Sequence, residues 1–274
     1  MGILYNRFTD INIDLTGYSG QSWCSAVTSR LDTSGMTDMS CMFNGQETAT
    51  SIDVSNFDTS NVTDMHEMFH NCSSVTSLDL SNFDTSNVAN MREMFHYCSH
   101  ATSIDVSNFN TSNVTDMYSM FSRCERLTSL DVSSLNTSRV TTMRYMFDYL
   151  AYSAANPLTL DLSTFRTSSV THMGSMFVSA NLQVLDLDNW DTSIVTNMGS
   201  MFSNAFKNGG KMWVPSTFVA TSVTSDSNKP FNAAPKEQVD VYTDATDATT
   251  QGWGTINAKF TMHYNTTHQD FLNA

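Results

Sequence analysis

The sequence predicts an α/β solenoid, with a parallel β-sheet on one face, short helices behind it and a cap at each end. Three observations predict this. The phrase Met-x-x-Met-Phe returns seven times, beginning at Met39, Met65, Met91, Met117, Met143, Met173 and Met198, at spacings of 26, 26, 26, 26, 30 and 25 residues. Each full copy follows an alternating run such as Leu78-Asp79-Leu80, the two-residue period of a strand with one buried face. Self-similarity at this period marks architectures whose units bury their apolar sides only against neighbours. Fourteen of the 18 methionines belong to the phrase, so the odd composition follows from the repeat.

Taken in order, residues 1–30, including Trp23, form an N-terminal cap that shields the first coil. Residues 31–204 form the repeat solenoid. From Val62 onward the period changes: Val62, Met65, Met68, Phe69 and Cys72 share an arc of roughly 120° on a helical wheel, the stripe of a short amphipathic helix. The Thr-Ser-Asn segment before Val62 suits a helix start, because such side chains accept from the first free N–H groups. Val75, Leu78, Leu80 and Phe83 overlay the pattern L-x-x-L-x-L-x-x-N with Phe83 in place of Asn, so the solenoid is leucine-rich-repeat-like. The fifth unit is longer by an insertion within Tyr149–Pro157, and Tyr149 and Tyr152 make it a candidate contact loop. Residues 205–274 hold a degraded unit around Phe218–Thr224 and Phe231, followed by a C-terminal cap. In that cap Val239–Tyr242 and Phe260–Tyr264 read as strands, with a turn at Gly252-Trp253-Gly254.

The run Leu78-Asp79-Leu80-Ser81-Asn82-Phe83-Asp84-Thr85-Ser86-Asn87-Val88, followed by Met91-x-x-Met94-Phe95, resembles the BspA-like leucine-rich-repeat family of bacterial surface proteins. The match covers roughly residues 26–204 and is specific, because many positions recur together. The resemblance implies a non-enzymatic, extracellular module for adhesion or recognition, partnered by a protein or glycan on a host or cell surface. It carries over no catalytic residue and no cofactor. The start, Met1 to Asn6, shows neither a basic segment nor an apolar run of the secretory kind. A route to the outside as part of a phage particle is therefore the alternative, with other virion proteins as partners.

A formal net charge of −14 repels phosphate backbones and anionic lipid, which argues against nucleic acid as a partner. No apolar stretch approaches the ~20 residues that span a bilayer, so no membrane insertion is expected. Asp53, Asp79, Asp105, Asp131, Asp161 and Asp186 all fall at the outward position between two buried strand residues. Like charges ~4.8 Å apart on neighbouring strands repel by roughly 0.9 kcal/mol even in water. The row must be compensated, either by hydroxyls and N–H groups of adjoining coils, such as Ser77 and Ser81, or by a cation or basic partner. The expected binding positions are Ser77, Asp79, Ser81, Ser103, Asp105, Ser107, Ser129 and Asp131 on the strand face, then Tyr149 and Tyr152. A second row at Asp58 and Asp84 is broken by Asn110, Asn136 and Arg166.

His66-Glu67-Met68-Phe69-His70 satisfies H-E-x-x-H, which on a helix would make a metal-dependent hydrolase. The following units read Arg92-Glu93-Met94-Phe95-His96 and Tyr118-Ser119-Met120-Phe121-Ser122, so the repeat accounts for the motif and no metal is assigned. On the same helical wheel His66 and His70 face solvent. Cys72, Cys98 and Cys124 recur on the apolar stripe as buried thiols. Cys24 and Cys41 stand outside that series and are candidates for a bridge pinning the N-terminal cap.

Overall fold

A typical coil turns three corners, and most of these corners are Asx turns written into the sequence, with Thr142, Arg166 and His172 at the exceptions. The computed structural model describes residues 31–274. In the coil that starts at Leu78, the Asp79 carboxylate accepts from the Ser81 N–H at 3.1 Å, and that of Asp84 accepts from Ser86 N–H at 2.9 Å. The third corner is Asn90, whose Oδ1 accepts from Arg92 N–H at 3.1 Å. A side-chain oxygen that captures the N–H two residues on bends the chain without a glycine. The first expected cap, residues 1–30, and the Cys24–Cys41 pairing lie outside the described residues.

The parallel sheet is real but shorter than expected. Among the described residues five strands, β1 (Leu158–Asp161), β2 (Leu182–Asp186), β3 (Gly210–Trp213), β4 (Val239–Tyr242) and β5 (Phe260–His263), pair in parallel in the order β1-β2-β3-β4-β5. β4 and β5 fall where the alternating runs predicted them, separated by a turn whose Gly252 and Gly254 have φ of 68° and 71°. In the preceding coils the face keeps the strand-like alternation: Leu78 and Leu80 are buried and Asp79 is exposed. The backbone rungs there are sparse, for instance Thr102 N–H to the Thr76 carbonyl at 3.1 Å. Side chains take over: Asn82 Nδ2 donates to the Val54 and Phe57 carbonyls at 3.0 and 2.8 Å, and Asn108 repeats this one coil on.

The expected helices behind the sheet are absent from the described residues, and the α/β assignment is corrected to a parallel-β solenoid with very little helix. The Met-Phe segment is a chain of overlapping turns: Met68 N–H bonds the Met65 carbonyl, His70 N–H that of Glu67 and Cys72 N–H that of Phe69. Glu67 and Asn71 adopt left-handed backbone with φ of 55° and 56°. The intervening N–H groups of Met65, Glu67, Phe69 and Asn71 point along the stack to the carbonyls of Asn90, Arg92, Met94 and His96. An α-helix needs those donors for its own i−4 carbonyls, so a coil that spends them on its neighbour cannot be helical. Three-residue turns return a side chain to the core at nearly the helical spacing, which is why the apolar stripe imitated a helix.

Two columns run the length of the core. Phe43, Phe69, Phe95, Phe121, Phe147, Phe177, Phe202 and Phe231 stack with centroids 5.5 to 5.9 Å apart and rings within 3° to 18° of parallel. The other column is polar. Thr59, fully inside, donates to the Asp84 carbonyl at 3.0 Å and accepts from Asp84 N–H at 2.8 Å. Thr33, Thr85, Thr137, Thr167 and Thr192 make the same two-way bridge, satisfying backbone that the side of a coil would otherwise bury unpaired. Cys72, Cys98 and Cys124 are buried as expected, each thiol donating to a carbonyl, those of Phe43, Phe69 and Phe95. Burial pushes the Cys98 and Cys124 thiols well above their ordinary range, so they are packing groups and poor nucleophiles.

Candidate binding face

The outward face carries the Asp row, and its compensation lies within each coil. Asp79 Oδ1 accepts from Ser81 at both N–H, 3.1 Å, and Oγ, 2.7 Å, and Asp53 does the same with Ser55. These bonds hold Asp53, Asp79, Asp105 and Asp131 below the usual carboxylate range, and the like charge of Asp79 only slightly offsets the effect at Asp53. Local hydrogen bonds therefore outweigh the repulsion along the row. The expected donor from adjoining coils is corrected: Ser81 belongs to the same coil as its Asp, and Ser77 makes no such bond. The broken second row is explained too, since Asn110 and Asn136 accept from Ser112 and Ser138 as Asp58 accepts from Ser60. At these corners an acceptor oxygen serves with or without charge, while Arg166 in the same register instead donates to the Ser163, Thr164 and Phe165 carbonyls.

Five of the expected binding residues come together. Ser77, Asp79, Ser81, Asp105 and Ser107 line one shallow groove of about 330 Å³, completed by Leu78, Leu80 and Asn108. Ser103, Ser129 and Asp131 are exposed on the same face, outside that lining. The row ends under a lid. Asp186 is 8% exposed beneath helix α1 (His268–Asn273), with His268 Nε2 2.7 Å from its Oδ2. Burial raises the Asp186 carboxyl, with His268 pulling it back. The helix is seated by Phe271 against Trp213 and Tyr242 and by Lys211 Nζ donating to the Phe271 carbonyl at 2.7 Å. A Thr267–Asp270 capping box starts it. The open part of the face is thus the part before β2.

Tyr149 and Tyr152 lie on the turn edge instead of the groove, with rings 5.1 Å apart. Arg123 covers the Tyr149 ring at 4.2 Å and the Tyr97 ring at 4.9 Å, and Lys207 Nζ lies 5.3 Å from that of Tyr152. A parallel pair of contacts sets Arg92 over Tyr118 at 4.1 Å and Arg144 over Tyr145 at 4.7 Å.

The H-E-x-x-H residues fall in two separate clusters. His66 Nδ1 lies 2.8 Å from Asp64 Oδ1 at its own corner, and its other neighbours are Cys41 and Glu67. His70 joins Glu93 and His96 of the next coil. Both histidine side chains are half-buried at 24% exposure, so the expectation that they face solvent is also corrected.

A family model described as "Mycoplasma protein of unknown function, DUF285" matches residues 18–103, 79–155, 99–213 and 132–241 in overlapping copies. The chain belongs to this family. The matches overlap because the DUF285 model can be laid along a repeating chain in several registers. No curated protein and no solved structure matched. The turn-edge residues Tyr97, Tyr118, Arg123 and Arg144 of this DUF285 chain were missed in the sequence although a signal existed: Asn71, Tyr97, Arg123 and the candidate Tyr149 share one register of the 26-residue repeat, and His66, Arg92, Tyr118 and Arg144 share another. Among the described residues no helix is long and apolar enough to cross a membrane.

Proposed function

We propose that the chain is a non-enzymatic binding scaffold that works outside the cell and recognises a neutral, hydroxyl-rich glycan along its Asp-Ser face. The groove of about 330 Å³ formed by Ser77, Asp79, Ser81, Asp105 and Ser107 carries this reading. In the groove Asp79 and Asp105 each spend Oδ1 on their own serine. The second carboxylate oxygen is the natural acceptor for sugar hydroxyls, and the coil spacing repeats that acceptor along the stack. A net charge of −14 disfavours acidic sugars. The resemblance to BspA-like surface proteins supports the location and the class of activity, and the Tyr-Arg edge offers flat rings for further contact.

The test is a glycan array read with the full chain and with the double variant Asp79→Ala, Asp105→Ala, both checked for fold by circular dichroism. Retention of neutral glycans, lost in the double variant, is expected. Retention of sialylated or sulfated glycans only, or retention unchanged in a folded double variant, overturns the proposal.

A further inference from the structure

The turn edge carries a second constellation that the display function does not use. Asn44, His70, His96, Ser122 and Asp148 occupy one register of the repeat, so parallel stacking brings chemically active side chains into one column. At its centre the His70 and His96 rings have centroids 4.8 Å apart. Glu93, from the same turn as His96, reaches both: its Oε2 is 3.7 Å from His70 Nε2 and 3.2 Å from His96 Nδ1. One ligand atom from each residue lies within 4.8 Å of the other two. Tetrahedral ligands at ~2.0–2.2 Å from a common ion lie about 3.3–3.6 Å from one another, a separation the two Glu93 contacts already bracket.

The surroundings orient the donors. His70 Nδ1 is 3.1 Å from Asn44 Oδ1, an acceptor that fixes the proton on Nδ1 and leaves the Nε2 lone pair directed at Glu93. Arg92 Nη2 donates to Glu93 Oε1 at 2.7 Å, which leaves Oε2 as the ligating oxygen. Glu93 sits in left-handed backbone, φ 55°, and its carboxylate reaches His70 of the preceding coil. All three side chains are less than a quarter exposed, so the ion would be partly shielded from water.

We propose that His70, Glu93 and His96 form a first-row transition-metal site, with zinc the preferred ion, that fastens two successive coils together. Two imidazoles and a carboxylate suit Zn²⁺, with water at the fourth position. The site is independent of the glycan face and stands or falls separately.

The full chain, stripped with EDTA and dialysed, is titrated with Zn²⁺ by calorimetry and with Co²⁺ by visible absorption. One equivalent of zinc is expected, together with cobalt ligand-field bands and no thiolate-to-cobalt charge transfer. His96→Ala should abolish binding, Asn44→Ala should weaken it by about ten- to a hundredfold, and Cys41→Ser should leave it unchanged. His96→Gln, closer in size, serves if His96→Ala does not fold. Absence of zinc binding by the native chain overturns the proposal, as does undiminished binding by a folded His96 variant. A thiolate band abolished by Cys41→Ser overturns it too, by placing the ion among Cys41, His66 and Glu67.

Discussion

Asp148 shows most clearly how a single side chain sets the pH response of this fold. It is 8% exposed, its Oδ2 is 3.3 Å from the Ser122 hydroxyl, and burial pushes its pKa up to about 6, with Arg123 pulling it back. The folded chain therefore holds a proton that the unfolded chain has already released, over the interval between the ordinary carboxylate value and about 6. Stability must fall as pH rises through that interval and stay reduced above it. The corner aspartates act in the opposite sense, because their hydrogen bonds favour the charged form: what they contribute is present at neutral pH and lost on acidification. Asp148→Asn separates the two. It should stabilise the chain at neutral pH by about 1–3 kcal/mol, and the gain should vanish below the carboxylate range. Urea midpoints across pH measure this. A loss of stability at neutral pH would mean that the Arg123 attraction exceeds the burial cost.

At the scale of the element, the Met-Phe turn can be distinguished from a helix by one substitution. Ser200 is exposed and left-handed at φ 57°, the same place in its turn as Glu67 and Glu93. In a helix, glycine there would cost roughly 1 kcal/mol. In a left-handed turn glycine removes a conformational strain of about 1–2 kcal/mol, partly offset by its greater entropy when unfolded. Ser200→Gly should therefore be neutral or stabilising by up to about 1 kcal/mol, read from the thermal or urea midpoint. A clear loss would restore the helical reading. The same turn shows how much of the structure the sequence disclosed. The inward set Val62, Met65, Met68, Phe69 and Cys72 was legible, since each is fully buried. Its backbone was not legible, because turns and helices return side chains at similar intervals and differ in where the N–H groups go. The strand-face residues that share a groove were legible from their alternation. The His70–Glu93–His96 cluster was not, because it depends on left-handed residues that the composition does not announce.

For the whole molecule, the phenylalanine column decides how damage spreads. Phe95 stacks on Phe69 at 5.9 Å and on Phe121 at 5.7 Å, so each ring touches only the coils before and after it. The column ends in an aromatic knot, where Phe260 meets Phe202 and Phe231 edge-on and Trp253 meets Phe231 edge-on at 5.1 Å. A stack with neighbour-only contacts behaves as a one-dimensional chain, in which a weakened unit loosens its neighbours and leaves distant ones intact. Phe95→Ala removes a fully buried ring and should cost ~3–5 kcal/mol. In hydrogen exchange the loss of protection should centre on the turns of Phe69, Phe95 and Phe121, whose N–H groups bond coil to coil. Strands β4 and β5, held by the distant aromatic knot, should exchange at their native rate. Uniform loss of protection across both regions would show that the chain unfolds as a single cooperative body. The coil-by-coil account of its stability would then have to be given up, even though the stacking geometry is unchanged.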